Sequence, residues 1–484
     1  MENNKDVKSF IKNHIGFAGI ILFVFASICF VIPSIIYMVQ NHTVFRFNES
    51  YKFLLQDVNR FTQAILYLLV LTLLTIGYVL IVKYRKQIFK NIKSVLIFVA
   101  IVSLLFVFVL PFTSGDIFYY LGIGRINTSN YGQNPYYTTI KDFVDDGNEA
   151  LLENDSVLKQ GYEHYWGDTT VVYGPVWTLI CRFVAFLSFG SVDFGLLLFK
   201  LFALLVHVLN CYLIYKITNR KMFALLYGLN PLLLLEGIVC VHNDIFVILF
   251  TLISLYFLLK KNSIALSVIF LAIATGIKYF TILLLPFIII YHFRKEKPSK
   301  RLLKCIAYGA LFALVLVLFY IIYIRDLEIF NGLFIQQGKY AKNFYIIILE
   351  YFTQPANLAG TVNKILLYSF IIIYFFTCVI LLTKKKIKFR NEIRNYNYLL
   401  LAFLFLLITN FQVWYIMWLF PTFMFQKKNM TKLIIQISLI AEFATTLFIA
   451  YGEAWQYGTP FTFIMVTATL IAIIINNKKA ILKA

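Results

Sequence analysis

The residues best suited to chemistry cluster in one segment, PFTSGDIFYYLGIGRINTSNYGQNPYY, which covers residues 111–137. Asp116 stands three and four residues before Tyr119 and Tyr120, so a helix that continued through them would place all three on one face. The segment follows an apolar run, so Asp116 would stand where a membrane span ends and water is only partly excluded. A carboxylate in such a place suits a general base. An acid at the end of an apolar span that merely faces water is the alternative. Clustering with further polar groups favours function, and these groups are Arg125, Asn134 and Tyr136.

A second cluster, His242, Asn243 and Asp244, stands between two apolar runs. Asn and Asp are favoured at helix N-termini, so an ordinary helix cap is the alternative to a substrate-binding corner. Lys278 and Arg325 are isolated cations at the ends of other apolar runs, away from the basic loops. Either cation could bind the phosphate of a lipid, or it could only extend to the headgroups at the membrane surface.

Aromatic residues supply the third set of candidates. The segment FQVWYIMWLFP contains Trp414 and Tyr415, and Tyr173 stands in the motif YGP. Aromatic side chains at a membrane boundary commonly form a belt at the headgroup level, and stacking on a sugar ring is the functional alternative. The sequence contains no P-loop, no dinucleotide-binding glycine pattern and no HExxH motif. We therefore predict no cofactor and no metal, although Asp116 and Asp244 could share a divalent ion.

The composition indicates which elements must hold these residues. Of the 484 residues, 61% are hydrophobic and only 14% are charged, whereas soluble chains are about 45–50% apolar and about 25% charged. Many apolar runs are long enough to cross a hydrocarbon core of about 30 Å, which predicts an all-α integral membrane protein with about fourteen transmembrane helices. The predicted spans are residues 15–39, 61–82, 94–110, 193–215, 221–240, 244–259, 263–276, 278–292, 302–324, 363–382, 397–412, 413–426, 431–450 and 459–477.

The distribution of charge sets the predicted orientation. The chain has 44 Lys and Arg against 23 Asp and Glu, a formal charge of +21, and most of the basic residues gather in short loops on one side. Because Lys and Arg mark cytoplasmic loops, both termini are predicted to be cytoplasmic in the plasma membrane. The basic runs would then anchor on anionic lipid and not bind nucleic acid. The first apolar run is too long for a typical signal peptide, which predicts a retained anchor.

Two long loops are predicted on the extracytoplasmic side of a single polytopic membrane domain, residues 1–484. The loop 111–192 would carry the catalytic residues, and the loop 325–362 would form a second external segment. Within the first loop, the stretch 171–190 is predicted to be a juxtamembrane or re-entrant helix, because a span there would invert every later basic loop. The six cysteines lie in or beside apolar runs and indicate no disulfide framework.

Taken together, the motifs resemble those of the GT-C superfamily of glycosyltransferases, which use polyprenyl-phosphate-linked sugars. The likeness is greatest to the polyprenol-phosphate-mannose-dependent mannosyltransferases of bacterial envelopes. In chain order, the motifs that carry it are the Asp116–Tyr119–Tyr120 segment, GR at Gly124–Arg125, NPY at Asn134–Tyr136, YGP at Tyr173–Pro175, NP at Asn230–Pro231, HND at His242–Asp244 and WY at Trp414–Tyr415 before Pro421. One departure is that two predicted spans precede the span leading to Asp116, whereas many GT-C enzymes carry the acid after their first span.

The resemblance implies an inverting glycosyltransferase that moves mannose or another hexose from a polyprenyl-phosphate donor to an envelope glycan or glycolipid acceptor on the extracytoplasmic face. It implies that Asp116 is the catalytic base, and we expect Lys278 and Arg325 to hold the leaving lipid phosphate. The residues expected to shape the sugar site are Tyr119, Tyr120, Arg125, Asn134, Tyr136, Tyr173, His242, Asn243, Asp244, Trp414 and Tyr415.

Two other functions remain open from the sequence. A transporter or flippase of a lipid-linked glycan could use intramembrane acids such as Glu236 and Glu442 along its pathway. A scaffold within an envelope-synthesis complex would explain the apolar spans but not the polar segment around Asp116. Release of free polyprenyl phosphate would distinguish the transferase from the flippase, because a flippase moves its substrate without breaking a bond.

Overall fold

A computed structural model describes residues 2–41, 58–339, 358–408 and 411–451, and every regular element within these ranges is helical. The α-helices in chain order are α1 (Glu2–Asn41), α2 (Arg60–Ile88), α3 (Ile92–Val107), α4 (Asp116–Ile126), α5 (Ile140–Asp145), α6 (Ser156–Glu163), α7 (Pro175–Leu187), α8 (Val192–Thr218), α9 (Lys221–Gly228), α10 (Pro231–Leu234), α11 (Asp244–Lys260), α12 (Ile264–Thr275), α13 (Leu285–His292), α14 (Pro298–Tyr320), α15 (Asn331–Lys339), α16 (Leu358–Thr383), α17 (Phe389–Ala402) and α18 (Lys428–Tyr451). Short 3₁₀ helices cover Glu149–Glu153, Tyr279–Leu284, Leu327–Phe330, Val413–Leu419 and Phe423–Phe425, and π-helical turns cover Leu235–Val239 and Phe403–Leu407.

Six helices of the described residues are long and apolar enough to cross a membrane, and a bent pair raises the number to as many as seven. The pair joins Lys221–Gly228 to Pro231–Val239 at an angle of 59°. The predicted membrane character is therefore confirmed, whereas the predicted count of about fourteen spans is not. The six long helices are His14–Val39, Arg60–Ile88, Val192–Thr218, Pro298–Tyr320, Gly360–Thr383 and Lys428–Ala450.

Several predicted spans are shorter or more broken than the apolar runs indicated. Helix α3 ends at Val107, and a separate helix begins at Asp116, so the third span does not continue into the polar segment. The stretch predicted as a span at 413–426 instead forms two buried 3₁₀ helices. An apolar run can also be a buried core element, because periodicity alone does not separate the two cases. The predicted span 459–477 and residues 340–357 of the predicted loop 325–362 lie outside the described residues.

Helix α7 agrees with the short helix predicted within 171–190. Pro175 occupies its first turn directly after Gly174, a position where proline's fixed φ is already helical. Its 13 residues span roughly 20 Å at 1.5 Å per residue, less than a hydrocarbon core of about 30 Å. Phe183 and Phe186 on this helix are 54% and 50% exposed, so α7 presents an apolar face that no described element covers.

Helix α4, which begins at Asp116, is the centre of the fold around the polar segment. Every residue of this helix is buried, and it packs against α6, α7 and α8. Its contact with α7 is very close, because a Cβ built on Gly124 would lie 2.2 Å from the Cys181 carbonyl oxygen. Only glycine fits at this crossing, and the close approach fixes how α4 presents Asp116.

We expect Gly124→Ala to lower the stability of the protein by about 1–3 kcal/mol, because the added methyl group must push α4 away from α7. The measurement is the unfolding temperature of the detergent-solubilised protein. Gly309→Ala is the matched control, since a Cβ at Gly309 meets no described atom within 4 Å. An unchanged unfolding temperature in Gly124→Ala would contradict the close crossing.

Candidate active site

The carboxylate of Asp116 lies at the first residue of α4, where the free N–H groups of a helix stabilise negative charge. Tyr120, one turn further on, places its hydroxyl 3.5 Å from Oδ2, which confirms that the two residues share a helix face. A second hydroxyl comes from Tyr165, 3.3 Å from Oδ1. Asp116 retains 8% exposure, so its carboxylate is nearly enclosed but still reaches an open cleft.

Tyr165 is held in place by a stack of rings. The imidazole of His164 lies 4.3 Å from the Tyr165 ring and 5.9 Å from the Tyr119 ring, measured between centroids. Burial lowers the pKa of His164 to about 3, so this imidazole stays neutral at physiological pH. The stack therefore positions the Tyr165 hydroxyl beside Asp116 without adding a positive charge to the site.

The corner before α11 brings a histidine to the same carboxylate. His242 lies wholly buried, with Nδ1 3.7 Å from Asp116 Oδ2 and Nε2 3.1 Å from Glu236 Oε2. Neither contact is aligned as a hydrogen bond. The imidazole stacks on Trp414, with ring centroids 3.7 Å apart and planes at 16°, which fixes its orientation.

The backbone of this corner is irregular in two ways. Glu236 lies in the π-helical turn Leu235–Val239, and Val241 has a φ of 53°. A positive φ is a genuine outlier for a β-branched residue, and such strain costs about 1–3 kcal/mol wherever the surroundings maintain it. Strained turns and π-helical turns are frequent at functional sites. The irregular backbone therefore agrees with a functional position for His242.

Lys278 also lines the cleft and is paired with Asp244. The ammonium lies 2.8 Å and 2.9 Å from the two carboxylate oxygens of Asp244, which is fully buried. The Trp418 indole N–H also donates to Asp244. The ammonium lies 4.7 Å from the centroid of the Tyr415 ring and 5.4 Å from that of Trp418, within the range of cation–π attraction.

These groups meet in one cleft. Lys278 and Asp116 both line it, so a base and a cation face the same space. Tyr173 closes one side, with its hydroxyl 3.4 Å from that of Tyr120. The predicted site residues that line the cleft are Asp116, Tyr119, Tyr173, Lys278, Trp414 and Tyr415.

Comparison with known proteins places the site within a family. The family described as alpha-(1->6)-mannopyranosyltransferase, N-terminal domain, matches residues 13–294, more than half of the chain. The chain belongs to this family. The matched region contains Asp116, the His242 corner and Lys278, whereas Trp414 and Tyr415 lie beyond it. The predicted resemblance to mannosyltransferases is thereby confirmed at the level of the family.

One curated mannosyltransferase is also similar to the chain. Alpha-(1->6)-mannopyranosyltransferase A of Corynebacterium glutamicum is 23% identical over 203 residues. The similarity covers 40% of this chain and 39% of that relative, so the chain spans well under half of the relative's length. No solved structure matches the chain.

Seven of the eleven predicted substrate-binding residues of this mannopyranosyltransferase-family chain do not line the cleft: Tyr120, Arg125, Asn134, Tyr136, His242, Asn243 and Asp244. Three of them make their contacts elsewhere. Arg125 forms an ion pair with Asp155, 2.6 Å between Nε and Oδ2, and so ties α4 to the start of α6. Asn134 donates to the Tyr323 carbonyl at 2.7 Å. Tyr136 is 2% exposed and donates to the Tyr173 carbonyl at 2.8 Å. Their contacts are structural, and Tyr136 supports a residue that does line the cleft.

Arg325 also lies apart from the position that the sequence indicated. It lines a second cleft, together with Arg182, and its guanidinium lies over the Tyr137 ring at 5.3 Å. Lys278 does not line that cleft, so the structure does not bring the two predicted phosphate-binding cations into one pocket. Asn243 is fully buried beside the site, and neither of its side-chain polar atoms has a hydrogen-bond partner among the described residues.

Sequence reasoning missed several residues in or beside the cleft. Tyr165 and Gln412 carry no motif of their own, and Glu236 was considered only for a transport pathway. Their proximity to the site arises from contacts between segments distant in the chain, for which the sequence offers no spacing signal. The lining residues that were not predicted are Tyr165, Trp166, Thr169, Val172 and Gln412.

Among the residues that the structure describes, one group of side chains has the types that bind a metal. Candidate ligand atoms of Glu236, Cys240 and His242 lie within 4.8 Å of one another. The Cys240 thiol, however, lies 2.9 Å from the Thr113 hydroxyl and is satisfied as an ordinary buried thiol. Both oxygens of Asp244 are engaged by Lys278, which leaves little capacity for an ion shared with Asp116. We assign no metal to either group.

Proposed function

We propose that the protein is an inverting glycosyltransferase that moves mannose from a polyprenyl-phosphate donor to a glycan or glycolipid acceptor. The single observation that carries this proposal is that Asp116 and Lys278 line one cleft, and both residues lie in the part of the chain that matches the mannopyranosyltransferase family. A base and a cation in one cleft are the two groups that sugar transfer from a phosphate requires.

The proposed reaction assigns each group a step. Asp116 removes the proton of an acceptor hydroxyl as its oxygen attacks the anomeric carbon. The bond from that carbon to the phosphate oxygen breaks, and its electron pair leaves on polyprenyl phosphate. Attack from the opposite face inverts the anomeric centre. Tyr120 and Tyr165 hold the carboxylate oxygens toward the cleft, so the base is oriented before the acceptor arrives.

Lys278 would stabilise the charge that grows on the leaving phosphate. An ammonium has three N–H donors, and two of those on Lys278 are directed at the oxygens of Asp244. The third remains for a ligand in the cleft. Because Asp244 fixes the ammonium before substrate binds, little reorganisation is needed as the bond breaks. The rings of Trp414 and Tyr415 supply flat apolar surfaces for the sugar.

The proposed function is tested with purified protein in a lipid bilayer and radiolabelled polyprenyl-phosphate mannose. We expect free polyprenyl phosphate and a mannosylated acceptor whose new linkage has the opposite anomeric configuration to the donor. A donor that crosses the bilayer intact would identify a transporter and contradict the proposal. A product that retains the donor's configuration would contradict the single displacement by Asp116.

The proposal also requires the cleft to open on the extracytoplasmic side. Glu149 is exposed in the loop 111–192. We expect the new thiol of the Glu149→Cys variant to react with a membrane-impermeant maleimide in intact cells. Lys297→Cys, exposed in the short turn before α14, is expected to react only after lysis. The unaltered chain controls for the native thiols. Labelling in the reverse order would place the cleft on the cytoplasmic side and contradict a lipid-linked external donor.

A further inference from the structure

The second cleft lies at the far end of α4 and has a volume of about 270 Å³, where bulk water occupies roughly 30 Å³ per molecule. Arg182 of α7 and Arg325, beyond the end of α14, both line it. Asn127 and Asn134 contribute polar edges that are already fixed by contacts to Tyr323. The cleft therefore has room for a charged headgroup and two guanidinium groups to meet it.

Neither arginine is neutralised by an acid within the described residues. Arg325 lies over the Tyr137 ring, and Arg182 lies near the Tyr323 hydroxyl. Burial raises the pKa of Tyr323, and the charge of Arg182 opposes that rise. Arg125, by contrast, has Asp155 at 2.6 Å. Two guanidinium groups that share a cleft without a carboxylate leave positive charge that an anion can neutralise. The planar N–H donors of a guanidinium match the oxygens of a phosphate.

Exposed apolar side chains line the same cleft as the two cations. Ile322 and Ile324 are 54% and 46% exposed. The cleft also follows directly on α14, which is apolar and long enough to cross a membrane. Exposed apolar groups beside unpaired cations are typical of a surface that receives the headgroup and the first carbons of a lipid.

The second cleft is too far from Asp116 to hold the reacting phosphate. Asp116 begins α4, and Asn127 of the second cleft follows its last residue, a separation of roughly 16 Å at 1.5 Å per residue. In the proposed reaction the phosphate is bonded to the same carbon that Asp116's acceptor attacks. A phosphate bound by Arg182 and Arg325 must therefore belong to another molecule.

We propose that the cleft of Arg182 and Arg325 binds the phosphate headgroup of a membrane lipid other than the reacting donor, with its acyl chains against Ile322 and Ile324. The lipid could be an acceptor that carries a phosphate or an anionic lipid of the bilayer, since both present the same group. The exclusion of the donor rests on the proposed function, whereas the binding of a lipid phosphate rests on charge and apolar surface alone.

The test measures binding of dioleoyl phosphatidic acid and dioleoylglycerol to the purified full-length protein in detergent by native mass spectrometry. The two probes share their acyl chains and differ in the phosphate. We expect phosphatidic acid to bind at least about tenfold more tightly, and we expect Arg182→Gln and Arg325→Gln each to remove most of that preference. Arg220→Gln, an exposed arginine at the turn before α9, removes the same charge elsewhere and is expected to retain it.

Three outcomes would overturn the proposal. Equal binding of the two probes would show that the cleft does not recognise the phosphate group. An unchanged preference for phosphatidic acid in both arginine variants would show the same. Displacement by inorganic phosphate at the same concentration as the lipid would assign the site to a free anion. Competition between phosphatidic acid and polyprenyl-phosphate mannose would assign it to the donor. Competition with a lipid-linked acceptor alone would support the proposal and identify the lipid as the acceptor.

Discussion

Asp116→Asn is expected to lower the turnover number of mannose transfer by about 10²- to 10⁴-fold, the usual contribution of a general base. The amide has nearly the shape of the carboxylate and can keep a hydrogen bond from Tyr165, but it cannot accept the proton of the acceptor hydroxyl. The Michaelis constant for the donor should change little, because the proposed contacts of the sugar and the lipid phosphate are with other groups of the cleft. The measurement is steady-state release of polyprenyl phosphate by the purified protein.

Asp146→Asn provides the control for this variant. Asp146 is an exposed acid in the same predicted external loop, and it does not line the cleft. It should retain full turnover, which would separate loss of the base from a general change in the charge of the loop. If Asp116→Asn turned over as fast as the unaltered protein, another group would have to remove the proton, and the proposed mechanism would be wrong.

The second large effect is expected at the pair of Asp244 and Lys278. Asp244→Asn leaves the ammonium among aromatic rings without its counter-charge, and removal of one partner from a buried ion pair costs about 3–5 kcal/mol. The lower end applies here, because the Lys278 side chain keeps 15% exposure. We therefore expect an unfolding temperature well below that of the unaltered protein, together with loss of transfer activity, measured on the same detergent-solubilised sample.

The double variant Asp244→Asn with Lys278→Met separates stability from function. With both charges removed, no buried charge is left unpaired, so the double variant should recover most of the lost stability. It should remain inactive, because nothing then stabilises the leaving phosphate. Lys295→Met, an exposed lysine in the turn after α13, is the control and should leave both quantities unchanged. A double variant as unstable as Asp244→Asn, or fully active, would refute these roles.

Local spacing in the sequence correctly predicted that Asp116 and Tyr120 share a helix face. The interval between Asp116 and Tyr120 is one helical turn, and α4 places them together as that interval requires. The third span was predicted to end at residue 110, and the shared face required only a helix through Asp116; the structure supplies this helix as α4, after a break that follows α3. In an apolar segment, the position where a helix ends depends on what that end packs against. The sequence of the segment alone does not show this position.

Nearness to Asp116 in the sequence did not determine which side chains lie beside it. Arg125 and Asn134 stand close to Asp116 along the chain, yet their side chains contact Asp155 and the backbone of Tyr323. Side chains on successive positions of a helix point to different faces, so nearness along α4 does not imply a shared cleft. Tyr165 stands further from Asp116 in sequence, but its hydroxyl reaches the carboxylate.

The sequence by itself determined that this is a helical membrane protein, that it resembles the mannosyltransferases of its family, and that Asp116, Lys278 and the HND corner are its polar candidates. These conclusions follow from composition, from apolar length and from residue types, all of which are properties of the chain alone. Only the tertiary structure decided that Lys278 pairs with Asp244 beside Asp116, and that Arg325 joins Arg182 in a separate cleft. The reason is that these side-chain contacts depend on where helices break and how closely helices cross. Both are determined by packing between segments that are far apart in the chain.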